Sequence, residues 1–124
     1  MGKKTIKILI VEDEKPLAKA LGLKLKHVGF ETKEVFNGKQ ALEVLEKEQF
    51  CLIILDLMMP EMDGFGVLKV LQDRNNKTPI IVASNLGQQH DIKEAKSLGA
   101  KDYFVKSDTP LTDVVEKVKD IVGK

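Results

Sequence analysis

The stretch Leu52–Gly64, LIILDLMMPEMDG, changes character at a single residue. Its first four residues are apolar, and a short apolar run of this kind is typical of a strand buried on both faces of a sheet. Asp56 follows directly, and Pro60 and Gly64 belong to a segment that leads the chain away from the strand. The stretch therefore predicts a buried strand that holds one carboxylate rigidly at its carboxyl end.

Strands and helices alternate along the rest of the chain. Short apolar or alternating runs predict four more strands, at Ile6–Val11, Glu31–Phe36, Ile80–Ala83 and Asp102–Val105. Apolar residues at helical spacing predict helices between the strands, and Pro110 begins the last of five helices. Strict alternation of this kind predicts an α/β fold, in which helices cover both faces of a parallel sheet.

The composition limits the class of protein. At 124 residues the chain has the size of one ordinary domain, and we predict a single domain over residues 1–124. Its 20 basic and 19 acidic side chains nearly balance, so nucleic acid and anionic membranes are not expected as direct partners. The apolar run that precedes Glu12 and Asp13 is too short for a signal peptide's apolar core or for a membrane span. The single cysteine, Cys51, heads an apolar run, which predicts a buried free thiol in a cytoplasmic protein.

Polar side chains follow the predicted strands at the points where the strands end. Glu12 and Asp13 follow the first strand, Asp56 the third, Ser84 the fourth and Lys106 the fifth. Ligands of such sheets bind at the carboxyl ends of the strands, so we expect these residues to share one site. Three ionised carboxylates at one place need a cation. Oxygen ligands without His or Cys favour Mg²⁺, or Mn²⁺ in its place, and Lys106 adds a fixed positive charge.

This combination of groups suits phosphoryl transfer. A metal ion, an ammonium group and a hydroxyl around one carboxylate can receive a phosphoryl group, with its charge spread over these partners. Carboxylates are recognised covalent acceptors of phosphoryl groups, so Asp56 is the predicted acceptor. Each residue taken alone also has a plainer interpretation, because Glu12 and Asp13 suit the start of a helix and Ser84 suits a turn.

The same residues carry a resemblance that extends over essentially the whole chain. Four motifs occur in order, namely LIVEDE at 9–14, LDLMMPEMDG at 55–64, PIIVASN at 79–85 and DYFVK at 102–106. With them the chain resembles the receiver domain of two-component response regulators, in particular the chemotaxis-regulator-like receivers that consist of one domain. The resemblance implies a flavodoxin-like, doubly wound five-stranded sheet with the strand order 2-1-3-4-5.

The resemblance also implies a role for each residue of the site. Asp56 would accept a phosphoryl group from the phosphohistidine of a histidine kinase or phosphotransfer protein, or from a small acyl phosphate. Asp13, Asp56 and the main-chain carbonyl of Met58 would bind Mg²⁺ directly, and Glu12 would bind it through water. Lys106 would pair with the phosphoryl oxygens.

Ser84 and Tyr103 would form the switch that reports phosphorylation. By resemblance, Ser84 would hydrogen bond to the phosphoryl group, and Tyr103 would then change rotamer. This would alter the face formed by the fourth helix, the fifth strand and the fifth helix, on which a downstream protein would bind; an aromatic side chain at Tyr103 is also compatible with packing alone. Such a protein would be a monomer or a phosphorylation-dependent dimer. It would not be a conventional enzyme, since its catalysis would be limited to its own acyl phosphate.

Three departures from the family's usual pattern have consequences. Ser107 stands where a cis proline is usual, and because a non-proline cis bond costs roughly 2.5–4 kcal/mol, we expect a trans peptide or a locally different loop. Asn85 is larger and more polar than the usual alanine. Met58 and Leu86, two residues beyond the acceptor and the switch hydroxyl, occupy positions that influence loss of the phosphoryl group. Apolar side chains there cannot orient an attacking water, which predicts slow hydrolysis.

Other functions are disfavoured by particular residues. A degenerate receiver that binds partners without phosphorylation would not need the intact set of Glu12, Asp13, Asp56 and Lys106. A phosphohydrolase of the haloacid dehalogenase type would carry a second Asp two residues beyond the acceptor, where Met58 stands. A flavin carrier of the flavodoxin type would need a Ser/Thr-rich phosphate loop, which the sequence lacks, as it lacks a Gly-rich nucleotide motif.

Overall fold

Five short strands form one parallel sheet in the computed structural model, which describes residues 5–59, 62–85 and 89–123. The strands are β1 (Lys7–Val11), β2 (Glu31–Val35), β3 (Leu52–Asp56), β4 (Ile80–Ser84) and β5 (Asp102–Val105). They lie in the order β2-β1-β3-β4-β5, and every neighbouring pair is parallel. The predicted α/β fold and its strand order 2-1-3-4-5 are thus confirmed.

Four helices connect the strands, a fifth follows β5, and together they cover both faces of the sheet. They are α1 (Lys15–His27), α2 (Gly38–Lys47), α3 (Gly64–Asp73), α4 (Gln89–Ser97) and α5 (Leu111–Val122). Apolar side chains of α1 and α5 form one core with one face of the sheet, and those of α2, α3 and α4 form a second core with the other face. The site edge of the sheet is therefore held between two separate layers of packed side chains.

The central strands are buried at every position, as their apolar sequences predict. β3 and β4 have no half-buried or exposed residue, whereas the edge strand β2 alternates between exposed and half-buried side chains before Val35. Burial of one Ile or Leu side chain stabilises a fold by roughly 1.5–3 kcal/mol, so the centre of the sheet is its most stable part. The acceptor candidate Asp56 is the last residue of one of these rigid strands.

Two strands extend one residue further than predicted, and both extensions matter for the site. β3 includes Asp56, which is in register with Ala83, and β4 includes Ser84, which is in register with Val105. The reason is that the ladder continues past the acidic residue, where the amide of Leu57 donates to the carbonyl of Ala83 at 3.0 Å. The main chain at Asp56 is consequently held against β4.

The start of α3 is packed directly against the main chain of the acceptor candidate. Asp63 caps this helix, with its Oδ1 accepting a hydrogen bond from the Gly66 amide at 3.0 Å. Gly64 then donates its amide to the carbonyl of Leu57 at 3.0 Å. A Cβ atom on Gly64 would lie 2.7 Å from the carbonyl oxygen of Asp56, so only glycine fits at this close approach.

Two expectations about individual positions are resolved by the structure. Cys51 is exposed, so the prediction of a buried thiol is wrong. Although its amide donates to the carbonyl of Lys7 at 2.8 Å, Cys51 precedes β3 and its side chain lies outside both cores. The peptide bond between Lys106 and Ser107 is trans, as expected without the proline.

Among the described helices, none combines the length and the apolar character needed to cross a bilayer.

Candidate functional site

The acceptor candidate lies in a buried position at the carboxyl end of β3. Asp56 is only 2% exposed, and its Oδ1 accepts a hydrogen bond from the amide of Met58 at 3.2 Å. Glu12, which directly follows β1, is also buried. β1 and β3 are neighbours in the sheet, so the two carboxylates meet at one edge, as the sequence predicts.

Three carboxylates form a cluster suited to a hard cation. Glu12, Asp13 and Asp56 each offer one oxygen, and these oxygens lie within 4.8 Å of one another. Such a set of oxygen donors fits Mg²⁺, which prefers one or two carboxylates and retains several waters. Glu12 and Asp56 are both buried, so a bound cation would relieve the repulsion between their carboxylates. The cluster therefore fits the predicted metal, with Asp13 half-buried on its outer side.

Lys106 supplies the positive charge of the site. Its Nζ donates hydrogen bonds to Oε2 of Glu14 at 2.7 Å, to Oε2 of Glu12 at 3.0 Å and to Oδ2 of Asp56 at 3.2 Å. The lysine side chain is 9% exposed, and its charge-assisted contacts with Glu12 and Asp56 are buried, whereas Glu14 is 61% exposed. The ammonium group thus lies directly against the acceptor carboxylate.

Ser84 places a hydroxyl without a partner near the end of the neighbouring strand. Its side chain is fully buried, and its Oγ has no hydrogen-bond partner within the described ranges 5–59, 62–85 and 89–123. The carbonyl of Ser84 accepts a hydrogen bond from the amide of Lys106 at 2.8 Å, which ties the two residues together. A buried hydroxyl left unpaired costs free energy, so it is an available donor for an arriving oxygen.

The low polarity of the surroundings shifts the ionisation of the carboxylates. An apolar cavity of about 20 Å³, lined in part by Ile54, Ala83 and Phe104, lies beside them. Burial and then the negative charge of Asp56 raise the pKa of Glu12 to about 8. Burial also raises the pKa of Asp56, although contacts with Glu12 and Lys106 act against this effect. Without a metal ion, the carboxylates therefore retain a proton at a pH where ordinary carboxyl groups have lost it.

The same contacts keep Lys106 charged. Burial alone would lower the pKa of its ammonium group, but the hydrogen bonds to Glu14 and Glu12 and the charge of Asp56 outweigh this and raise it. Lys106 is consequently a cation at neutral pH. The charge that varies belongs to the carboxylates.

The remaining predicted residues lie around the cluster or apart from it. Tyr103 lies on the edge strand β5, in register with Val82 of β4. The ammonium group of Lys96 lies 5.2 Å from the centre of the Tyr103 ring. Tyr103 is thus positioned at the predicted output face and not among the hydrogen-bonded residues of the acidic cluster. The side chain of Met58 is 51% exposed beside the acceptor, and Leu86 lies outside the described residues.

Glu14 is the site residue that the sequence did not reveal. It is the third acidic residue in LIVEDE, and that run of three acids was the available signal. Its role was not visible because Glu14 begins a helix, where an acidic residue needs no partner in a site, and its contact with Lys106 at 2.7 Å appears only in the folded structure.

Comparison with known proteins agrees with this geometry. Residues 8–119 match the family described as the response regulator receiver domain. The chain belongs to this family. Like other receiver domains, it is a signalling domain and not a classical enzyme, which agrees in coarse terms with the sequence prediction.

Individual relatives and solved structures support the family assignment. The receiver domain is 39% identical over 104 residues to a probable transcriptional regulator, ycf27, of Pyropia yezoensis, covering 84% of this chain and 42% of that protein. It is 38% identical over 117 residues to the transcriptional regulatory protein SrrA of Staphylococcus aureus, covering 94% and 48%. The receiver domain of the Francisella response regulator 1452 is 29% identical, with a TM-score of 0.90 and coverage of 96% and 98%. The chemotaxis protein CheY4 of Vibrio cholerae is 26% identical, with a TM-score of 0.86 and coverage of 95% and 99%.

The extent of these matches differs between the two kinds of comparison. The chain spans slightly less than half the length of the curated relatives it matches, whereas it covers nearly all of the two solved receiver structures. The receiver domain is therefore the unit that the chain shares with all of them.

Proposed function

We propose that this receiver domain is a phosphorylation-controlled switch in which Asp56 accepts the phosphoryl group. The observation that carries the proposal is the contact of the Lys106 ammonium with the 2% exposed carboxylate of Asp56 at 3.2 Å, inside a cluster of acidic oxygens. A cation fixed where negative charge accumulates favours transfer without any movement of the protein at the moment of reaction. Lys106 and Ser84 would both contact the transferred group.

The transfer can be written with the groups present in the site. A carboxylate oxygen of Asp56 attacks the phosphorus of a phosphohistidine on a histidine kinase or phosphotransfer protein. The new P–O bond forms as the P–N bond breaks, and the electron pair of the P–N bond remains on the imidazole nitrogen. A small acyl phosphate reacts in the same way, with the carboxylate of its acid as the leaving group. In hydrolysis, a water oxygen attacks the phosphorus, and Asp56 and inorganic phosphate are released.

The metal ion and the switch residues complete the proposed mechanism. Asp13, Asp56 and the main-chain carbonyl of Met58 would hold Mg²⁺, with Glu12 acting through water, and the ion would supply charge that neutralises the phosphoryl oxygens. The unpaired hydroxyl of Ser84 would then donate to one of these oxygens. The new hydrogen bond would shift a pre-existing equilibrium between two conformations of the domain. The size of the shift equals the difference in free energy with which the phosphoryl group interacts with the two conformations.

The partner surface is the face of α4, β5 and α5. Tyr103 and Lys96 lie there in contact, and the Nζ of Lys117 pairs with Asp102 at 3.3 Å. These contacts link β5 to both flanking helices, so a rotamer change at Tyr103 would alter all three elements. We propose a protein as the downstream partner, since the near-neutral charge of the domain does not favour nucleic acid.

Phosphorylation at Asp56 is the first prediction. Incubation with acetyl phosphate and Mg²⁺ should add one phosphoryl group to the intact mass. The addition should be lost with EDTA and in Asp56→Asn, because the amide is not a nucleophile of this kind. Asp13→Asn should raise the Mg²⁺ concentration needed for half-maximal phosphorylation. A metal-independent adduct, or one that persists in Asp56→Asn, would refute the proposed acceptor, and no adduct even with candidate kinases would favour a phosphorylation-independent binding module.

Slow loss of the phosphoryl group is the second prediction. Met58 presents an exposed thioether beside Asp56, and a thioether neither orients nor acidifies water. After removal of acetyl phosphate, the adduct should therefore decay over minutes or longer. Met58→Asn, which places an amide at the same position, should shorten the half-life severalfold. Decay of the unmodified protein within seconds in Mg²⁺ would contradict this expectation.

A further inference from the structure

The side chain at the start of α1 is not used to cap the helix. Glu14 is the N-cap residue, with φ −80° and ψ 97°, but its side chain makes no capping hydrogen bond. Ser, Thr, Asp and Asn are favoured at this position because their short side chains reach the free amides of the first turn. The longer side chain of Glu14 instead reaches Lys106, beyond the end of β5, and accepts a hydrogen bond at 2.7 Å. The side chain of Glu14 therefore forms its hydrogen bond with a residue of the site and not with the amides of α1.

The contact with Glu14 is the shortest of three that occupy the Lys106 ammonium. The other two are to Glu12 at 3.0 Å and to Asp56 at 3.2 Å. An ammonium group has three N–H donors, so each donor already has a carboxylate acceptor. A phosphoryl group on Asp56 brings new oxygens that require a donor from Lys106. Because Asp56 is itself the phosphorylated group, its contact with Lys106 can pass to a phosphoryl oxygen, and a second bond from Lys106 to the phosphoryl group requires the release of Glu12 or Glu14.

Exposure determines which contact is released at the lowest free energy. The side chains of Glu12 and Asp56 are 6% and 2% exposed, whereas that of Glu14 is 61% exposed. A released Glu14 carboxylate is hydrated immediately, but a released Glu12 would remain buried without its cation. The amide of Glu14 meanwhile donates to Oε2 of Glu12 at 3.1 Å, which keeps Glu12 in place when the Glu14 side chain leaves.

We propose that Glu14 is a positioning residue that holds the Lys106 ammonium before phosphorylation and yields it to a phosphoryl oxygen afterwards. The inference rests on the proposed function of Asp56 as acceptor. Because Glu14 makes its contact only in the unphosphorylated state, it stabilises that state relative to the phosphorylated one. The side chain thereby restrains phosphorylation while it keeps the lysine directed at the acceptor.

The inference is tested by two variants that separate contact from charge. Glu14→Gln removes the charge, and Glu14→Asp keeps the charge but is too short by one methylene group to make the same contact. Each should be phosphorylated by acetyl phosphate about two- to fivefold faster than the unmodified protein, the range that an exposed ion pair supplies. Glu14→Asp should also keep or raise the thermal stability, since Asp is the better N-cap residue.

Matched controls exclude a general effect of charge and of metal affinity. Asp108→Asn removes an exposed carboxylate two residues beyond Lys106 and should leave the rate unchanged. The Mg²⁺ affinity of each variant is measured, and rates are compared at saturating Mg²⁺. Added KCl should raise the rate of the unmodified protein towards that of Glu14→Asp, because salt screens the exposed pair.

The outcomes distinguish the inference from the function on which it rests. Faster phosphorylation of both Glu14 variants, with Asp108→Asn unchanged, would support the positioning role. If the unmodified protein is phosphorylated and the Glu14 variants match its rate, the inference is overturned and the proposed function stands. If only Glu14→Gln is faster, the effect is one of charge and the inference is also overturned. If the unmodified protein forms no adduct at all, both fall together.

Discussion

Replacement of Lys106 by Met should lower the free energy of unfolding by about 3 kcal/mol at pH 8 in EDTA. Lys106 is the cation that contacts both buried carboxylates of the site, at 3.0 Å from Glu12 and 3.2 Å from Asp56. Removing one partner of a buried ion pair leaves the other charge in a medium of low polarity without compensation. Met preserves most of the volume of the side chain, so the loss reports the charge and not a cavity.

The loss in Lys106→Met should depend on pH. The folded pKa of Glu12 is raised to about 8, above its value in the unfolded chain, so the folded state retains a proton that the unfolded state has lost. The unmodified protein therefore loses stability as pH rises from about 5 to 8, where the unfolded chain binds fewer protons. Without Lys106 the carboxyl groups hold protons more tightly still. The loss in free energy of unfolding caused by Lys106→Met should consequently be smaller at pH 5–6 than at pH 8. This pH range lies roughly one to two units above the ordinary pKa of a carboxyl group.

Urea unfolding of both proteins at several pH values measures this effect. The matched control is Lys117→Met, because Lys117 also pairs with an aspartate, Asp102, but both side chains are 34% exposed. That variant should lose less than about 1 kcal/mol at any pH. Phosphorylation of Lys106→Met should also be slower by about 100-fold, since a fixed cation at the reacting group is lost. An equal loss of stability at pH 5 and pH 8 would show that packing, and not charge, is responsible.

Replacement of Gly64 by Ala destabilises the protein and disturbs the acceptor together. The added Cβ would lie 2.7 Å from the carbonyl oxygen of Asp56 and 2.7 Å from the Cα of Leu57, so it meets main-chain atoms that cannot rotate away. Either the start of α3 or the end of β3 must move. We expect a loss of about 2–3 kcal/mol in the free energy of unfolding, typical of an overpacked site. Phosphorylation of Asp56 should slow as well, because the strand that holds the carboxylate shifts.

Gly66→Ala is the matched control in the same helix. Its Cβ would meet Cγ of Met62 at 2.8 Å, an atom of a flexible side chain, and alanine favours the helix by roughly 1 kcal/mol over glycine. Its stability and its rate of phosphorylation should stay close to those of the unmodified protein. If Gly64→Ala behaves like Gly66→Ala, the close approach of α3 to Asp56 does not constrain the site.

The sequence predicts those parts of the site that depend on topology. Glu12 and Lys106 follow parallel strands and Asp56 ends one, and parallel strands bring their carboxyl ends to one edge whatever the details of packing. The fold follows in the same way from the alternation of strands and helices, and the resemblance supplied the strand order. These inferences needed only periodicity and the places where apolar runs end.

Features that depend on where single side chains reach are less predictable. Glu14 contacts Lys106 because its side chain reaches from the start of α1 to the residue that follows β5, which no local pattern encodes. Cys51 heads an apolar run but precedes the first residue of β3, so a shift of one position changed a predicted buried thiol into an exposed one. The burial of the pair Glu12 and Asp56, and hence their raised pKa values, likewise follows from packing in three dimensions.

The exposed thiol of Cys51 makes the protein convenient to study by labelling. It is the only cysteine of the 124 residues, so a maleimide reagent attaches at one defined position without any mutation. Cys51 and Asp56 are the two ends of one extended segment, separated by about 17 Å at the usual rise of a strand. A fluorophore or spin label at this thiol would therefore lie at the end of the strand opposite to the acceptor, away from the reacting groups.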